Sequence, residues 1–156
     1  GSEEQLTRAQ GYQTMLEKYS DWEMVAQQTG DNSREEAEKV MKLFLEQEPD
    51  LRVVFAESDE MALGAVAACQ KAGYDCQDWP VIFGIDGLDD ALEAIETGKM
   101  QGTVYNDKED QAMELAKLSV EIVCGKDTNR KRLKEGRYYV SEYCRVDSSN
   151  VDRFLK

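Results

Sequence analysis

The chain contains no histidine. That removes the commonest general base, the usual activator of a serine or cysteine nucleophile and the commonest metal ligand. Carboxylates and lysines remain as catalytic groups, but the chain carries no nucleophile–base pair, glycine-rich phosphate loop or metal-ligand cluster. Neither a metal nor a cofactor is therefore expected. Positive charge is also short: 19 Lys and Arg stand against 32 Asp and Glu, for a net charge of −13. Such a chain repels phosphate backbones and anionic lipid, which disfavours nucleic acid and membrane surfaces as partners. No apolar run approaches the ~20 residues that span a bilayer. No signal-peptide pattern opens the sequence, which says nothing about what lies upstream. Cys69, Cys76, Cys124 and Cys144 form no C-x-x-C pair, against zinc and redox motifs. Cys69 and Cys76 can bridge if a helix ends between them; otherwise they are free buried thiols.

What is present is an ordinary globular composition: 156 residues, 41% hydrophobic and 33% charged, enough for one domain with a real core. Apolar groups at spacings of three and four predict a helix over 3–18. Residues 22–27 read as a strand and 29–32 as a turn cluster. Ser33 with Glu36 forms a capping-box signature for a helix running to about 46. Residues 52–57 are a short apolar strand of the buried parallel kind. Ser58 opens a helix that Gly73 ends.

The chain is organised around 80–106, which reads as strand, tight turn, helix, turn, strand. Asp86 is expected just past the carboxyl end of the first strand and Asn106 just past that of the second, the edge where open parallel sheets collect ligands. A helix over 108–124 follows, capped by Asp107, then a solvated loop over 126–135. A late strand is expected over 136–145 and a short terminal helix or tail over 148–156. The alternation of strand and helix predicts an α/β fold with a three-layer, mostly parallel, doubly wound sheet.

Six stretches, taken in order, carry a family resemblance: Arg8-Ala-Gln-Gly-Tyr12, Ser33-Arg-Glu-Glu-Ala37, Phe55-Ala-Glu-Ser-Asp-Glu-Met-Ala-Leu-Gly64, Gly84-Ile-Asp-Gly87, Ala91-Leu-Glu-Ala-Ile-Glu-Thr-Gly-Lys-Met100 and Gly102-Thr-Val-Tyr-Asn-Asp107. Together they resemble the type 1 periplasmic solute-binding proteins that deliver sugars to ABC transporters, nearest the galactose/glucose- and ribose-binding branch. Lac-repressor-like regulators share this lobe, so a sensor or regulator input domain is the alternative reading. The resemblance implies a C-terminal lobe over 1–106 lacking its first strand, with Gly1-Ser2 either a cloning scar or the loop after that strand. It further implies a crossover helix and loop over 107–136 that pack on an N-terminal lobe, and a returning strand and tail over 137–156. The partners implied are a small-molecule sugar, the N-terminal lobe (a second chain or the rest of the parent chain) and a membrane permease. The implied place is the periplasm or the cell exterior, lipid-anchored in a Gram-positive cell, and no enzymatic activity is expected.

Each site residue has a plain structural alternative. Arg8 occupies the family's sugar-contacting arginine position; by itself it is a solvated surface arginine. Asp86 offers a carboxylate to sugar hydroxyls, or is a turn aspartate before Gly87. Asn106 can read a hydroxyl pair with its donor and acceptor, or merely begins a helix beside Asp107. Asn32 stands where the branch usually has an aromatic for stacking, and Ser58 where it usually has an asparagine; Ser58 is equally a helix cap. Trp79 and Tyr105 are expected to pack rather than bind, Tyr105 because strand alternation turns it away from Asn106.

Overall fold

The structure is a computed structural model that describes residues 3–73, 75–125 and 133–155. Gly1-Ser2 and most of the expected solvated loop, residues 126–132, lie outside the described residues. Helices α1 (Glu3–Leu16) and α2 (Arg34–Gln47) precede strand β1 (Val53–Phe55), which leads into α3 (Asp59–Ala72). Strand β2 (Val81–Asp86), helix α4 (Asp89–Glu96), strand β3 (Gly102–Asn106) and helix α5 (Lys108–Val123) follow, and β4 (Tyr143–Asp147) closes the sheet.

The helix ends follow their local chemistry. Ser33 and Ser58 accept hydrogen bonds from the amides of Glu36 and Met61, capping α2 and α3. Acidic side chains fill the first turn of each, where the helix dipole favours negative charge. Gly73 ends α3 with φ 76°, the left-handed position that glycine takes without a Cβ clash. Asp107 caps α5 through the Asp110 amide.

The sheet order is β1-β2-β3-β4, with β1, β2 and β3 parallel and β4 antiparallel to β3. The expected mostly parallel α/β architecture is what forms. Ile82 and Gly84 of β2 face α3, and α2 packs along the outer side of α3. The core lies on this side, around Met41, Ala62, Ile82, Leu92, Ile95 and Met100. Phe83 points to the opposite side, where Phe55 stacks on it at 5.8 Å and Tyr12 of α1 stacks on Phe55 at 4.9 Å. α1 thus begins a second helical layer.

Two expected strands are corrected. Residues 22–27 form no ladder. A strand needs a partner for its N–H and C=O groups, and among the described residues the edge strand β1 pairs with β2 alone. The late strand lies at Tyr143–Asp147 rather than over 136–145. Glu135 and Gly136, both with positive φ, sit in a tight turn bridged from Lys134 to Tyr138. Pairing with β3 is then set by Val146, which lies opposite Thr103 and is fully buried. The terminal segment is a short turn, Val151–Arg153, and Phe154 after it rests 4.9 Å from the Tyr105 ring. Tyr105 and Trp79 both pack against the core, as expected.

Cys69 is a free, fully buried thiol whose pKa burial pushes up to about 11. The side chain of Cys76 lies outside the described residues.

Candidate functional site

Asp86 is the last residue of β2 and Asn106 the last of β3. The parallel register sets Asp86 against Tyr105, so Asn106 is one step further along the neighbouring strand. Adjacent strands run about 4.8 Å apart, which brings the two ends to one rim. Both residues belong to the strands rather than to the turns beyond them.

Arg8 reaches the same rim from α1. Its Nη1 donates to the Glu57 carbonyl oxygen at 2.6 Å, and its Nη2 stands 3.6 Å from Asp86 Oδ1. The Arg8 side chain is 16% exposed and that of Asp86 35%, so the ion pair is shielded but open on one side. Asp86 adopts φ 127°, a conformation L-residues avoid. Strain of this kind gathers where the surrounding structure must hold a side chain for use.

Asn106 accepts a hydrogen bond at Oδ1 from Gln111, whose amide also donates to Ser141 at 3.1 Å. Ser58 is buried, and its hydroxyl caps α3 through the Met61 amide at 3.4 Å. Asn32 is exposed, in a turn with φ 52°. Gly30, just before it, packs so closely on Met61 and Ala37 that a Cβ would lie 2.9 Å from the Met61 sulfur. That contact ties the Asn32 turn to the start of α3. Arg8 and Asp86 are an ion pair and Asn106 stands on the adjoining strand end, while Ser58 caps the start of α3 and Asn32 lies in the turn before α2.

Three further groups, not among the expected site residues, stand close to these. Glu57 lies beside Arg8; burial raises its pKa and the Arg8 charge lowers it. Tyr12 donates to the Ala56 carbonyl oxygen at 3.4 Å, and burial, then the Glu57 charge, pushes its phenol up to about 12. Asp59 is fully buried, with a carboxylate that accepts from the Gly87 and Leu88 amides at 2.7 and 2.8 Å and from the Thr103 hydroxyl at 2.7 Å. Burial raises its pKa and the three donors lower it. Sequence signals for Asp59 were slight: an acid in the first turn of a helix is ordinary.

A cationic fork, a carboxylate and an amide on one rim supply both donors and acceptors. That set suits neutral molecules dense in hydroxyl groups. Among the described residues, no group of three or more Cys, Asp or Glu side chains is placed to hold a metal ion. No helix among them is long and apolar enough to cross a membrane.

A polar rim at the carboxyl ends of parallel strands defines a ligand-binding α/β lobe. The chain belongs to the periplasmic binding protein domain family, whose profile matches residues 1–127. It is 36% identical over 110 residues to the D-galactose/methyl-galactoside binding periplasmic protein of Haemophilus influenzae, covering 69% of this chain and 32% of that protein. It is 29% identical over 150 residues to the D-apiose import binding protein of Actinobacillus succinogenes, covering 96% of this chain and 46% of that one. Among solved structures, an ABC transporter solute binding protein from Bacillus halodurans with bound myo-inositol superposes with a TM-score of 0.86 at 30% identity, over 99% of this chain and 50% of that chain. A periplasmic solute binding protein from Actinobacillus succinogenes with bound D-allose gives 0.81 at 27% identity, over 94% of this chain and 49% of that one. The chain therefore spans half, or less, of the length of these relatives.

Proposed function

We propose that the chain is one lobe of the sugar-binding component of an ABC importer, and that it binds rather than transforms its ligand. A sugar enters an open cleft; Arg8, Asp86 and Asn106 bond its hydroxyls; the two lobes close and expel water. Closure is a hinge motion that the ligand biases by binding the closed form more tightly. A membrane permease reads the closed form, in the periplasm or at the cell exterior, where a lipid anchor holds the protein to a Gram-positive cell. The net charge of −13 speaks against nucleic acid as a further partner. The observation that carries the reading is the Arg8–Asp86 pair at the rim, with Nη2 3.6 Å from Oδ1. Relatives named for galactose and apiose, and neighbours solved with D-allose and myo-inositol, support the ligand class.

The opposing lobe comes from the rest of the parent chain or from a second chain. Two features support this. An apolar groove of about 310 Å³, lined by Tyr12, Met15, Leu16, Tyr19, Trp22 and Phe55, runs beside β1. In the parallel register of β1, the backbone groups of Val53 and Phe55 point away from β2 toward this groove. An added strand there would pair with the open edge of β1. The apolar side chains of α5, including Leu115, Ile122 and Val123, are exposed in the same way and await the other lobe.

Calorimetric titration of the intact two-lobed protein with D-galactose, D-ribose, D-apiose, D-allose and myo-inositol tests the reading. Saturable binding of at least one is expected. Silence across these and a wider panel of mono- and disaccharides would end it.

A further inference from the structure

We infer that Asp59 is the positioning residue for Asp86: its buried carboxylate clamps the turn from β2 into α4 and so presents the Asp86 side chain to the rim. The inference rests on the sugar-binding reading of Asp86 proposed above.

The turn holds unusual backbone. Asp86 has φ 127° and Gly87 φ 78°. Leu88, the N-cap residue of α4, has no side-chain oxygen to hold the turn, and no cap bond forms there. Asp59 supplies the missing acceptor from another helix. One carboxylate oxygen, Oδ2, takes the amides of both Gly87 and Leu88, the two residues directly after Asp86. The other, Oδ1, takes the Thr103 hydroxyl on β3. A single buried side chain therefore joins the start of α3, the β2–α4 turn and β3.

The surroundings are shaped to fit it. A Cβ on Gly84 would lie 2.2 Å from Asp59 Oδ1, so the carboxylate occupies the space a side chain at that position would need. A Cβ on Gly87 would lie 2.2 Å from the Tyr105 ring, so the turn also presses on β3. Charge-assisted bonds to two successive amides resist rotation of the peptide that follows Asp86. Without them the peptide after Asp86 loses two anchors, and the strained φ of Asp86 favours a shift that carries its carboxylate away from Arg8.

The test is a double-mutant cycle on the intact two-lobed protein, read by calorimetry with the tightest-binding sugar of the five named above. Asp59→Asn alone should weaken binding about tenfold, and in an Asp86→Ala background it should change binding less than about twofold. Equal losses in both backgrounds would show that Asp59 merely supports the lobe, and would overturn the inference while leaving Asp86 as a ligand group. An Asp86→Ala protein that binds as well as the parent would overturn the site reading, and the inference with it. Should Asp59→Asn fail to fold, Thr103→Val removes one of the three bonds and enters the same cycle. Thr103→Ser restores the hydroxyl and should restore binding; a Thr103→Ser protein as weak as Thr103→Val would count against the clamp.

Discussion

The two faces of the sheet differ in completeness. On the side of α2, α3 and α4, apolar side chains are buried, and Asp59 has three donors. On the side of α1, and along α5, large apolar groups stand in the open: Trp22 is 52% exposed, Leu115 68% and Val123 86%. The first face is a finished protein interior. The second has the composition of an interior and the exposure of a surface, and contiguous apolar patches of that kind mark contact sites. The contrast separates a face that is completed within this chain from one whose apolar groups stay exposed.

The sharpest way to break that contrast is to truncate one residue on each side in the intact protein. Leu92→Ala, on the finished face, should cost about 2–5 kcal/mol in a denaturant melt. Ile122→Ala should cost a comparable amount if the proposed second lobe covers α5, and under ~0.5 kcal/mol if that face is surface. Next in size is Gly84→Ala, whose methyl group would collide with Asp59 Oδ1. Overpacking of this kind costs about 1–3 kcal/mol, and the melt should shift accordingly.

Alkaline pH probes the other face. The Tyr12 phenol ionises at 10.0 when exposed and at about 12 in the folded chain. Its contribution to stability is therefore whole below pH 10.0 and is lost as pH rises toward about 12. Tyr12→Phe should flatten the stability profile in that window; an unchanged slope would place the loss elsewhere. The smallest effect is expected for Arg34→Ala. Arg34 bridges Glu60 at 2.9 Å and Asp90 at 3.0 Å, but all three are well exposed. The melt should move by no more than ~1 kcal/mol, and less at high salt.

Much of the local structure is legible in the residues. Capping by Ser33, Ser58 and Asp107, the stop at Gly73 and the apolar runs of β1 and β2 act through neighbours in sequence, so local pattern reveals them. The order of motifs likewise marked Arg8, Asp86 and Asn106, and the fold brings Arg8 against Asp86 with Asn106 on the next strand end. The unfinished face is less legible for a physical reason. Residues 22–27 have strand composition, but a strand is completed by its partner, and among the described residues β1 pairs with β2 alone. The late strand slipped because its register is dictated by Val146 against Thr103, a contact between residues far apart in the chain. The role of Asp59 has no local signature, because its three donors come from positions 28 to 44 residues away.

The most direct measurement is the sugar affinity of the intact protein before and after Asp86→Ala, by titration calorimetry. A lost charge-assisted hydrogen bond is worth about 1.5–3 kcal/mol, so affinity should fall roughly tenfold to a hundredfold while the protein stays folded. An Asp86→Ala protein that binds the same sugar undiminished would contradict the account.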